Sequence, residues 1–133
     1  MEHHTDINKP HRILFVCLGN ICRSPMAEFV MKKLVADAGI SANFEIASAA
    51  TSSYECGNPV YPPAKRKLAE HNISCSGKVS QQITTQDYKY YDLIVAMDRS
   101  NVQNLRRMFN NDYLNKISLL LDYTDSPRDV ADP

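Results

Sequence analysis

The sequence has no surplus charge of either sign: 15 Lys and Arg residues balance 15 Asp and Glu residues. That balance removes the usual electrostatic argument for a nucleic-acid or membrane partner, so any positive field must be local. No apolar run approaches the roughly 20 residues needed to span a bilayer, and the start, MEHHTDINKPH, lacks the charged-then-apolar layout of a secretory signal. Cysteine is scarce as well. Cys17, Cys22, Cys56 and Cys75 are spaced too irregularly for a zinc site or a secreted disulfide framework, so reduced thiols in a cytoplasmic protein are expected. There is no internal repeat and no low-complexity linker.

What is present reads as one domain. At 133 residues, 44% of them hydrophobic, the chain can bury a single core. Residues 1–11 read as a flexible arm and residues 12–133 as the domain. Residues 12–16 (RILFV) form a short apolar strand; Met26, Phe29, Val30 and Leu34 then recur at helical spacing until Gly39 supplies a stop. Residues 44–49 (FEIASA), 92–97 (DLIVAM) and 116–122 (KISLLLD) are further strands, with helices over 64–71 and, capped by Ser100, through Met108. Strands separated by helices imply right-handed crossovers and an α/β fold of three layers, a four-stranded parallel sheet flanked by helices.

In such a sheet, ligands bind beyond the carboxyl ends of the strands, and the loop after the first strand is a favoured place. There the sequence reads CLGNICRSP, residues 17–25. Backbone N–H groups of a loop winding into a helix amino terminus form an anion nest, which the helix dipole reinforces. Leu18, Gly19, Asn20, Ile21, Cys22, Arg23 and Ser24 are therefore expected to surround a tetrahedral oxyanion such as phosphate. Cys17 faces that nest from the strand end, where an electropositive loop favours the nucleophilic thiolate. Arg23 closes the loop, and a planar guanidinium grips two phosphate oxygens at once. Ser24 is placed to cap the helix or to donate to the thiolate, and Pro25 suits the first helical position. Cys56 and Cys75 lack that company and read as small core residues.

Residues 16–28, VCLGNICRSPMAE, resemble the signature loop of the low molecular weight protein tyrosine phosphatases. The likeness continues through SAATSS, NPVYPPAKRKLAEHNI, DLIVAMDRSN and RDVADP. It implies the fold already reached, and hydrolysis of phosphotyrosine in protein substrates, through a phosphocysteine intermediate, with no cofactor and no metal. The resemblance makes Cys17 the nucleophile, Arg23 the phosphoryl-binding group and Asp132 of the Asp-Pro pair the general acid, with Asp129 as a rival. It assigns Asn20, Ser24, Ser48 and His71 to a network that holds the loop open, and Leu18, Ile21 and Tyr54 to walls for the substrate ring. Cys22 matches a second loop cysteine that can trap an oxidised nucleophile as a disulfide.

Members of that family continue past Asp-Pro with aromatic residues and a final helix, whereas this sequence stops at Pro133. The expectation is a sheet face left bare and open to self-association, and an acid close to a chain end. A weakly active or inactive phosphate-binding fragment is thus the alternative reading. An arsenate reductase of similar fold would need relay cysteines, which LIVAMDRSN lacks. Phosphoarginine is hydrolysed by some relatives, and Ile21 favours the tyrosine type. Glu55 and Gln81 depart from the residues common in the family and bear on substrate preference.

Overall fold

The structure, a computed structural model, describes residues 9–131. The first strand, β1 (His11–Cys17), is apolar on both faces because both are covered. Successive side chains point to opposite sides. Ile13, Phe15 and Cys17 pack with Val35, Ile46, Val95 and Met97, whereas Leu14 and Val16 pack with Ala49, Ile94, Tyr88, Leu105 and Phe109.

The remaining elements are α1 (Arg23–Asp37), β2 (Phe44–Ala50), α2 (Pro62–Glu70), α3 (Thr85–Tyr90), β3 (Leu93–Ala96), α4 (Arg99–Met108) and β4 (Ile117–Leu119). Single 3-10 turns occupy Ser41–Asn43 and Leu120–Tyr123. The strands form one parallel sheet in the order β2-β1-β3-β4. β1 is central, so its carboxyl end opens where β2 and β3 also end, and Cys17 stands opposite Ala50 at that rim. A third apolar cluster, Val60, Ala64, Leu68 and Cys75 with Cys22, Met26 and Phe29 against it, fastens α2 to α1.

Four strands and three helices fall where the hydrophobic pattern puts them. α3 is the addition: only Tyr88 of its six residues is buried, so the short polar segment TQDYKY carries almost no helical stripe, and the Thr84–Asp87 capping box starts it. One cap is corrected. Asp98, not Ser100, caps α4, because the Asp98 carboxylate accepts the Asn101 N–H at 2.8 Å while Ser100 lies inside the first turn and donates to Asp98. Pro25 is the third helical residue, since α1 begins at Arg23. The fourth strand ends at Leu119, where the 3-10 turn takes over.

Of the arm expected over residues 1–11, residues 1–8 lie outside the described residues, and His11 pairs with Phe44 as the first residue of β1. An apolar cavity of about 230 Å³ lies on the α1 side of the sheet, lined by Ile13, Phe15, Met31, Val95, Leu120 and Tyr123 among others. No described helix is long and apolar enough to cross a membrane.

Candidate active site

The loop between β1 and α1 is shaped by what its carbonyls bond to. The Cys17 carbonyl accepts the Thr51 N–H at 3.0 Å, the Leu18 carbonyl accepts the Ser52 N–H and hydroxyl, the Gly19 carbonyl accepts the Ser80 hydroxyl at 2.7 Å, and the Ile21 carbonyl accepts the Tyr61 N–H at 2.7 Å. In a planar trans peptide the N–H points opposite the C=O. Holding these carbonyls outward therefore turns the following amides the other way. Asn20 shows the result: its N–H is aimed at Cys17 Sγ at 3.3 Å. Its backbone is left-handed, φ 56°, a conformation asparagine tolerates better than most residues.

A second proton reaches the sulfur from Ser24, whose Oγ lies 3.0 Å from Cys17 Sγ. The direction follows from the neighbours. Asn20 Oδ1 accepts the Gln81 N–H, so Nδ2 must be the donor; it donates to Ser24 Oγ at 2.8 Å and to Ser48 Oγ at 2.9 Å. With its oxygen already accepting, the Ser24 hydroxyl turns its own proton to the sulfur. Two donors on one buried sulfur suit an anion. Asn20, Ser24 and Ser48 are each 1% exposed or less, so the network is desolvated and rigid.

Arg23 opens α1 and reaches across to the ends of β3 and the C-terminal segment. Its Nη1 donates to Asp98 Oδ2 at 2.8 Å and to the Val130 carbonyl at 3.0 Å. Burial alone would raise the Asp98 carboxyl, but hydrogen bonds from Asn101, Ser100 and Arg23 outweigh it and hold the group below its ordinary value. The Val130 N–H in turn donates to the Met97 carbonyl, which pins the segment leading to Asp132 beside the arginine. Asp132 itself lies outside the described residues. Asp129 is turned to another task, accepting the Arg99 N–H at 2.9 Å at the start of α4.

A cavity of about 210 Å³ is lined by Cys17, Leu18, Gly19, Asn20, Ile21, Cys22 and Arg23 from the loop, with Ser52, Tyr54 and Glu55 facing them. Leu18, Ile21 and Tyr54 thus stand at one mouth, where Leu18 is 49% and Tyr54 85% exposed. Cys22 lines the same cavity as Cys17 and flanks the cluster that holds α2. His71 is the exception. It is exposed at the C-cap of α2, and among the described residues no hydrogen bond joins it to Asn20, Ser24 or Ser48.

The charged groups behind the loop come instead from Glu28 and Lys78. Ser48 Oγ donates to Glu28 Oε1 at 2.5 Å, and Glu28, 4% exposed, also accepts from Lys32 at 2.6 Å. Lys78 Nζ donates to the Ser48 carbonyl at 2.8 Å and stands 3.6 Å from Glu28. Burial lowers the Lys78 ammonium from its ordinary value, a shift that Glu28 and, more weakly, Cys17 oppose. A continuous chain thus runs from Glu28 through Ser48, Asn20 and Ser24 to the sulfur. Nothing local announces it: in MAEFVMKK, Glu28 reads as a surface partner for Lys32 four residues on.

The model for the family "Low molecular weight phosphotyrosine protein phosphatase" matches residues 12–133. The chain is 50% identical over 98 residues to the human protein of that name, covering 74% of this chain and 61% of that one, so it spans about three fifths of that relative's length. It is 39% identical over 123 residues to low molecular weight protein-tyrosine-phosphatase YfkJ of Bacillus subtilis, covering 91% of this chain and 79% of that one. The crystal structure of YfkJ superposes with a TM-score of 0.90 at 38% identity, covering 94% of this chain and 80% of that one. A structure titled as the Drosophila arginine phosphatase superposes with a TM-score of 0.75 at 32% identity, covering 84% of this chain and 71% of that one. A loop built to hold a thiol between two donors, on this sheet and over this span, places the chain in the low molecular weight phosphotyrosine protein phosphatase family.

Proposed function

We propose that the chain is a cysteine-dependent phosphatase acting on phosphotyrosine in proteins. The observation that carries this reading is the convergence of the Ser24 hydroxyl and the Asn20 N–H on Cys17 Sγ, in a cavity that Arg23 also lines. The Cys17 thiolate attacks phosphorus in line, a P–S bond forms, and the P–O bond to the phenol breaks. Asp132 gives its proton to the leaving oxygen, a role worth roughly 10²- to 10⁴-fold in rate. Water then attacks the phosphocysteine, Asp132 takes one of its protons, the P–S bond breaks, and inorganic phosphate leaves. Charge on the equatorial oxygens is met by the loop amides of Leu18, Gly19, Asn20, Ile21, Cys22 and Ser24 and by the Arg23 guanidinium. Arg23 is held by its ion pair with Asp98.

Support for Asp132 as the acid comes from Val130, whose carbonyl accepts from Arg23 two residues before it. Leu18, Ile21 and Tyr54 flank the ring. We read residues 12–133 as a single domain preceded by an arm, in a cytoplasmic protein with no nucleic-acid or membrane partner; no disulfide joins its four cysteines. The apolar cavity on the α1 side supports association with a second copy of the chain, which sedimentation at rising concentration tests.

The likeness to the Drosophila arginine phosphatase supports one other substrate, phosphoarginine. The deciding experiment measures release of phosphate from an aryl phosphate, a phosphotyrosine peptide and a phosphoarginine peptide, with Cys17→Ser and Asp132→Ala beside the wild type. Turnover of both aryl substrates, abolished in Cys17→Ser and slowed in Asp132→Ala, is expected. Binding of inorganic phosphate without turnover would make the chain a phosphate-binding module instead. Preference for phosphoarginine would reassign the substrate.

A further inference from the structure

The cavity over Cys17 does not end at Tyr54. A second cavity of about 390 Å³ shares three of its walls, Leu18, Ser52 and Tyr54, and continues to Thr51 and to Asn104 and Arg107 of α4. The charge on its lining is one-sided. Arg107 is the only charged side chain there, it is exposed, and among the described residues no carboxylate pairs with it. Glu55 lines the first cavity and not the second.

Thr51 is 7% exposed, and its hydroxyl oxygen is buried with no hydrogen-bond partner, although buried polar atoms are nearly always paired. Its backbone cannot simply drift, because the Thr51 N–H is the donor that holds the Cys17 carbonyl. The exposed Arg107 guanidinium and the half-buried amide side chain of Asn104 therefore line one side of a cleft whose other end holds the thiol, with the Thr51 hydroxyl buried within its wall.

We infer that this second cavity is a peptide subsite that reads an acidic residue beside the phosphotyrosine, with Arg107 as the specificity-determining group. The inference rests on the phosphotyrosine reading above and narrows its substrate class. With the aryl phosphate over Cys17, chain on the Tyr54 side enters the second cavity, where the Arg107 guanidinium donates to a Glu or Asp carboxylate. Chain leaving on the Glu55 side meets a carboxylate and is disfavoured if acidic. The preference is therefore directional: acid on one side of the phosphotyrosine and not on the other.

The test uses phosphotyrosine peptides with Glu, Gln or Lys at each neighbouring position on both sides, comparing wild type, Arg107→Gln and Arg107→Glu. The readout is the Glu-to-Lys ratio of kcat/KM within each protein, so any change in overall turnover cancels. Dissociation constants for the same peptides on Cys17→Ser give the ratio without chemistry. Wild type is expected to favour Glu about threefold to fivefold on one side only, the scale of an exposed ion pair, and to lose the preference in high salt. Arg107→Gln flattens the ratio and Arg107→Glu inverts it, which a merely structural residue would not do. An equal ratio on both sides in wild type, or a preference retained in Arg107→Glu, overturns the subsite while leaving the phosphatase reading standing. Failure of wild type to turn over even a small aryl phosphate overturns that reading first, and is seen separately.

Discussion

Asp98 serves two structures with one carboxylate: Oδ2 holds Arg23 Nη1 at 2.8 Å, while Oδ1 caps α4 by accepting the Asn101 N–H at 2.8 Å. The arginine that follows the Cys17 loop is thereby indexed to the end of β3, 75 residues away. Substituting Asp98→Ala removes both functions. The loss of the cap is expected to cost about 0.5–2 kcal/mol of stability, read as a lower Tm, and phosphate affinity is expected to fall because Arg23 is no longer held. Asp98→Asn keeps most of the cap and loses only the charge on Arg23, so it should weaken phosphate binding with a smaller change in Tm. Equal loss of affinity and Tm in both variants would contradict this division.

The same carboxyl has a pH signature. Its folded value lies below the ordinary one, so the stability it adds is fully present above the ordinary carboxylate range and is lost as pH falls through the lower folded value. Wild type should lose stability on acidification more steeply than Asp98→Asn, as measured by denaturant midpoints across the acid range.

The Ser24 hydroxyl donates to the sulfur that the proposed mechanism uses as its nucleophile. Hydrogen bonds to charged groups are worth about 1.5–3 kcal/mol, so Ser24→Ala is predicted to lower kcat by roughly 10- to 100-fold. Asn20→Ala strikes the same network at its branch point and should also destabilise the fold, since it leaves Ser24 and Ser48 without their donor. A Ser24→Ala enzyme with unchanged kcat would remove the hydroxyl from the mechanism.

Lys78 and Glu28 form the buried charged backing of the loop. Breaking one side leaves a buried charge or carbonyl unpaired, so Lys78→Met is predicted to cost about 1–3 kcal/mol, moderated because Lys32 still holds Glu28. Its lowered value means that the unfolded chain binds more protons between the folded and ordinary lysine values, so stability contributed by this group rises with pH through that window. The double variant Glu28→Leu/Lys78→Met should be less destabilised than the sum of the singles, by urea unfolding. Strict additivity would show that the two charges do not sense each other.

Cys22 shares the cavity with Cys17, which predicts protection rather than damage by hydrogen peroxide. Peroxide converts the Cys17 thiolate to a sulfenic acid; the Cys22 thiol displaces water from it, giving a disulfide that dithiothreitol reduces. Wild type should recover activity after peroxide and dithiothreitol, and Cys22→Ser should not. Full recovery in both would assign the protection elsewhere.

His71, exposed at the end of α2, tests the opposite case. The replacement His71→Ala is expected to leave kcat/KM within about twofold, in line with the small effects of surface substitutions. A larger loss would mean that the network extends to α2 through contacts the geometry does not display.

The local sequence was enough for much of this protein. Apolar runs covered on both faces set β1 to β4, helical spacing set α1, and CLGNICRSP between strand and helix set the position of the loop that carries Cys17, because each depends on residues within one turn or strand of one another. Tertiary structure decided the rest. α3 was invisible because one buried tyrosine makes no stripe, and Ser100 looked like the cap because Asp98 and Ser100 are equally good N-cap types two residues apart. Nothing local in the sequence marks Glu28, Lys78 or Asp98. They become the backing of Cys17 and the anchor of Arg23 because a parallel sheet brings strand ends together at one rim, and side chains distant in sequence can pair there only once that rim exists.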